Sequence, residues 1–83
     1  MNYLVYILKS KTDGSFYIGY TSNIKKRLEE HNSGRSYYTR RKIPWDLVYK
    51  EEFKTKKEAI MREKQLKSKK SHRFIELLIK ELP

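Results

Sequence analysis

Residues 3–10, Tyr-Leu-Val-Tyr-Ile-Leu-Lys-Ser, form a near-continuous run of apolar and β-favouring side chains. Such a run is expected of a strand covered on both faces. Thr12-Asp13-Gly14-Ser15 interrupts it, and Asp-Gly is a preferred pair for a two-residue hairpin turn. Residues 16–20, Phe-Tyr-Ile-Gly-Tyr, read as the return strand, with Gly19 marking a bulge or a close approach to the backbone. Ser22 is then expected to cap a helix over 23–32, and Asn32-Ser33-Gly34 to stop it. After a polar loop and Pro44, Trp-Asp-Leu-Val-Tyr-Lys-Glu-Glu-Phe alternates as a third strand, which would set Trp45, Leu47 and Tyr49 on one face. Thr55 followed by Glu58 fits a capping box and opens a second helix over 56–68. Ser71 caps a third over 72–81, with Phe74, Ile75, Leu78 and Leu82 toward the core. The order β-β-α-β-α-α predicts one α+β domain over 1–83, a small three-stranded antiparallel sheet flanked by helices.

The informative positions are polar ones where this pattern asks for apolar ones. On the first helix Arg27 and His31 flank the Ile24–Leu28 stripe, one turn apart. The plain reading is an arginine laying its stem over the sheet and a histidine at the edge of the core. On the second helix Glu63 sits inside the stripe of Ala59, Ile60 and Leu66. A carboxylate there must be paired, hydrogen-bonded or metal-bound, because burying it bare costs too much. A partner Arg or Lys from the loop or the first helix would satisfy it. Glu58 is better explained as a helix cap. A two-residue turn at Asp13-Gly14 would put Tyr6 and Tyr17 on the same face of the hairpin, where either could simply be a half-buried sheet residue.

Composition adds a partner. The 83 residues carry 20 Lys+Arg against 10 Asp+Glu, a formal net charge of +10. Solubility asks for less, so a polyanion, most simply nucleic acid, is the expected partner. The loop after the first helix interleaves cations with aromatics, and Arg35, Tyr38, Arg40, Arg41 and Lys42 suit phosphate contact and base stacking. A solvated basic face is the plain alternative. The absence of Cys excludes disulfides and Cys-based zinc sites and fits a reducing compartment. No stretch approaches the ~18 apolar residues of a membrane span, and the N-terminus lacks the basic and cleavable regions of a secretory signal. A cytoplasmic monomer is the expectation.

Val5-Tyr6-Ile7, then Tyr17-Ile18-Gly19, resembles the two-part signature of the GIY-YIG nucleases. The likeness continues through Thr21, Arg27, His31, Pro44, the strand Trp-Asp-Leu-Val-Tyr, Ala59, Glu63 and Leu66-Lys67, covering roughly residues 2–67. Two departures stand out. The first tripeptide reads Val-Tyr-Ile, and no Asn follows position 32, so the polar residue that some members carry after the glutamate has no counterpart. The resemblance implies a metal-dependent endonuclease acting on DNA rather than RNA, in repair or DNA processing. It implies one divalent cation, Mg²⁺ or Mn²⁺, on Glu63, and Tyr17 as the general base. Arg27 would hold the phosphate, and Tyr6 and His31 would orient water, base or phosphate. The alternative is a nucleic-acid-binding module that keeps the fold without turnover.

Overall fold

The computed structural model describes residues 2–69 and 71–80. Strands β1 (Tyr3–Ser10), β2 (Phe16–Thr21) and β3 (Trp45–Phe53) form one antiparallel sheet in the order β2-β1-β3. Helix α1 (Ile24–Asn32) follows β2, and α2 (Lys56–Ser68) and α3 (His72–Lys80) follow β3. The predicted α+β order is therefore the one observed. Residues 81–83, and with them Leu82, lie outside the described residues.

The central strand β1 is buried on both faces, as its unbroken apolar run demands. Val5 and Ile7 pack with Ala59, Leu66 and Ile75 under α2 and α3. Tyr6 and Leu8 pack with Trp45, Ile24 and Leu28 under α1. Val5, Ile7 and Leu8 are fully buried, and each such side chain contributes about 1.5–3 kcal/mol relative to exposure.

Two local expectations change. The hairpin is wider than a two-residue turn: Lys9 pairs with Phe16, and the Ser10 N–H donates to the Ser15 carbonyl at 2.9 Å. Residues 11–14 form the connection, with Gly14 at φ +77°. The register slips by one residue on each strand, so the parity survives. Leu8 opposes Tyr17 and Tyr6 opposes Gly19, which leaves the two tyrosines on one face.

The second change is in β3. Leu8 pairs with Leu47 but Ile7 pairs with Tyr49, a bulge that leaves Val48 as the extra residue. Alternation therefore inverts at the bulge. Trp45 and Leu47 face α1, while Tyr49 faces α2 and α3 and does not share their side. There its hydroxyl donates to Glu51, whose carboxylate also accepts from Arg62 Nε of α2 at 3.2 Å.

The helix ends follow their caps. Asn23, not Ser22, caps α1: its side chain accepts from the Lys26 N–H at 3.1 Å. Thr21 decides between these two good capping residues. Its hydroxyl accepts from the Asn23 N–H at 3.1 Å and fixes the turn one residue later. Gly34, at φ +84°, turns the chain away after α1. Thr55 accepts from the Glu58 N–H and donates to its carboxylate, so Glu58 is a cap. Ser71 caps α3 by accepting from the Phe74 N–H.

Candidate active site

Tyr6 stands at the centre of β1 with no exposed surface, and its hydroxyl has two partners. Arg27 Nε donates to it at 3.3 Å, and His31 Nε2 lies at 3.0 Å. The other ring nitrogen of His31, Nδ1, is 2.9 Å from Thr39 Oγ1. The Tyr17 ring packs against His31 with centroids 4.7 Å apart and against Tyr6 at 6.3 Å. Gly19 makes room for the Tyr6 phenol, since a Cβ there would fall 2.7 Å from its oxygen. The glycine in β2 is thus a close approach, not a bulge.

Burial pushes the Tyr6 phenol up to about 12, against the lowering effect of the Arg27 hydrogen bond. The hydroxyl therefore stays protonated at neutral pH. Burial, and then the positive charge of Arg27, lower the pKa of His31 and hold it neutral. His31 is the one buried residue of α1, deeper in the core than an edge position. The hydrogen bond to Tyr6 raises the pKa of Arg27 further, and the guanidinium is permanently charged. Its Nη1 also lies 3.5 Å from Glu30 Oε1.

Glu63 lies one turn after the fully buried Ala59, and its side chain is only 15% exposed. Its carboxylate is 3.5 Å from Lys67 Nζ, so the ion-pair partner comes from its own helix and not from the loop or α1. An open cleft of about 740 Å³ brings Glu63 together with Tyr6, Tyr17 and Arg27. His31 stands behind the cleft wall, reaching it through Tyr6. The cleft is also lined by Lys26 of α1 and Lys56 of α2, two exposed cations that the apolar pattern could not single out. Thr39, too, escapes a reading of the sequence: a polar residue in a polar loop has no periodicity to break.

The basic loop is separate from these groups. None of Arg35, Tyr38, Arg40, Arg41 and Lys42 lines the cleft. Tyr38 is 86% exposed, and the Arg40 guanidinium lies 4.8 Å over the Tyr37 ring. Lys42 is tied to the β1–β2 turn, 3.3 Å from Asp13 Oδ2 and 3.1 Å from Ser15 Oγ.

Two tyrosines, an arginine and a carboxylate from the opposite layer line one cleft, with a buried imidazole behind one of the phenols, at positions in the order of the tripeptide signature. The model of the GIY-YIG catalytic domain matches residues 2–74, and the chain belongs to this nuclease-type family. Among its relatives, a UPF0213 protein of Bacillus licheniformis is 48% identical over 75 residues, covering 86% of this chain and 76% of the other. One from Staphylococcus saprophyticus is 43% identical, with 89% of this chain and 90% of its own covered. The solution NMR structure of a UPF0213 protein from Bacillus halodurans superposes with a TM-score of 0.60 at 42% identity, covering 96% of this chain and 84% of that one.

Proposed function

We propose that this protein is a metal-dependent endonuclease that hydrolyses phosphodiester bonds in nucleic acid, with DNA rather than RNA as substrate, in repair or DNA processing. The observation that carries this reading is the shared cleft of Glu63, Arg27 and Tyr17. A module that only bound nucleic acid would need the basic surface and no Arg27–Tyr6–His31 chain running from the cleft into the core. The donor set suits a hard divalent cation. Among the described residues no three His, Asp or Glu side chains gather, and Mg²⁺ or Mn²⁺ accepts one carboxylate when water and substrate phosphate complete its shell. Glu63 would hold it. When bound, it would polarise the scissile phosphate and stabilise the leaving oxygen.

The remaining work falls to the chain. Arg27 has N–H groups beyond those used on Tyr6 and Glu30, and these can hold a phosphate oxygen as charge develops. Tyr6 is an unsuitable base, because burial keeps its proton on. Tyr17, also at the cleft, is the better candidate to take a proton from water.

The test is a cleavage panel of duplex, flap and single-stranded DNA and of RNA, with Mg²⁺, Mn²⁺ or EDTA. Wild type should cut DNA with either cation and stop in EDTA. Glu63→Gln should fall to background while keeping its fold. Glu58→Gln should keep activity and lose at most about 1 kcal/mol, the scale of a weakened cap. A reversal of these two phenotypes, or cleavage in EDTA, would refute the assignment.

A further inference from the structure

Thr39 precedes the short 3-10 turn Arg40–Lys42, yet its side chain makes no capping bond to that turn. It is 1% exposed although Tyr37 and Tyr38 just before it are 70% and 86% exposed. Its backbone is fixed independently of the hydroxyl. The carbonyl accepts from Trp45 Nε1–H at 2.9 Å and from the Lys42 N–H at 3.1 Å, and its own N–H donates to Ser36 at 3.2 Å. The hydroxyl is left to His31 Nδ1, 2.9 Å away.

The direction of this contact depends on where the Tyr6 proton goes. A guanidinium only donates, so the Tyr6 oxygen accepts from Arg27 Nε. The buried phenol proton needs an acceptor of its own. His31 Nε2, at 3.0 Å, is the group positioned to accept it. With the phenol proton on its Nε2 side, the ring nitrogen there is bare and the imidazole proton sits on Nδ1, facing Thr39.

We infer that Thr39 is a positioning residue of the cleft. Its hydroxyl accepts the Nδ1 proton of His31, holds the ring in that tautomer, draws the Tyr6 proton inward, and so turns the Tyr6 oxygen toward Arg27. Four side chains then act in sequence, Thr39 to His31 to Tyr6 to Arg27, and only the last presents its charge to substrate. The effect on cleavage rests on the nuclease reading; the tautomer does not.

The experiment reads both. Ring-nitrogen ¹⁵N–¹H spectra of the metal-free protein report the tautomer of His31, with the signals of the second histidine, His72, removed in a His72→Gln background. Wild type and Thr39→Ser should show the Nδ1–H form. Thr39→Val, which keeps the shape and loses the oxygen, should move His31 toward Nε2–H. In single-turnover cleavage at saturating Mg²⁺, Thr39→Val should be slower by ~10–100-fold, the scale on which hydrogen-bond partners behind a site act. Thr39→Ser should recover most of the rate, and affinity for uncleaved DNA should stay level in both. An Nε2–H tautomer in wild type overturns the inference, as does a Thr39→Val protein with an unchanged tautomer. Should Thr39→Val not fold, the spectra of wild type and Thr39→Ser decide it: the Nδ1–H form in both supports it, and the Nε2–H form in either overturns it. A wild type that cuts nothing in the panel sinks the nuclease reading, and the spectra still decide Thr39.

Discussion

Arg27 divides one guanidinium between structure and the chemistry proposed for it. Nε holds Tyr6, Nη1 reaches Glu30, and the residue lines the cleft. A lysine has the charge and a similar stem but no planar fork. Arg27→Lys should therefore cut single-turnover cleavage by ~10²-fold or more, the scale of losing one preorganised donor. A DNA-binding isotherm should barely move. Equal cleavage rates would return Arg27 to a stem lying over the sheet. His31 makes a separate prediction about stability. Its pKa is lowered from 6.5 by burial, so between its folded value and 6.5 the unfolded chain binds more protons. The contribution is complete above about pH 6.5 and is lost as pH falls through the folded value. Thermal midpoints should drop from neutral to mildly acidic pH in wild type and drop less in His31→Gln; parallel curves would place the titration elsewhere. Both residues stood out in the sequence because they flank an apolar stripe, as Glu63 did because it sits inside one. What the stripe could not tell is depth: it left His31 open to an edge position, and it is the most deeply buried residue of its helix.

At the level of elements, the caps and the β1 run carried most of the reading, because they act within a few residues of chain. The face of Tyr49 was not legible. A bulge is set by pairing between β1 and β3, which are distant in sequence, and period-2 alternation in β3 alone cannot show where it inverts. The basic loop splits in the same way. Its composition suggested one phosphate-binding patch, but the fold spends Lys42 on Asp13 and leaves Arg40 and Arg41 exposed. Neutralising Arg40 and Arg41 to Gln should weaken DNA binding and flatten the salt dependence by about 0.9 in log K per log salt for each charge that touched a phosphate. Lys42→Gln alone should leave that slope nearly unchanged. Isotherms over a range of salt would measure both, and a Lys42 effect as large as the pair's would mean that its ion pair opens on DNA.

Across the whole molecule, the cleft belongs to neither layer of the fold. Arg27, and through it the chain to Tyr6 and His31, comes with α1 on one face of the sheet; Glu63 comes with α2 on the other. Residues up to position 53 carry four of the five predicted groups, but the carboxylate comes only after the chain has crossed to the opposite layer. On the proposed function, a form with only one layer assembled lacks part of the site. Loss of either layer removes a charge of one sign and leaves the other without its counterpart. Cleavage activity should consequently behave as a gauge of global cooperativity. In a urea titration, the fraction of activity remaining should superpose on the fraction of helical signal remaining, with one midpoint. An activity curve that fell well before the helical signal would show that the two layers part from each other while each stays folded.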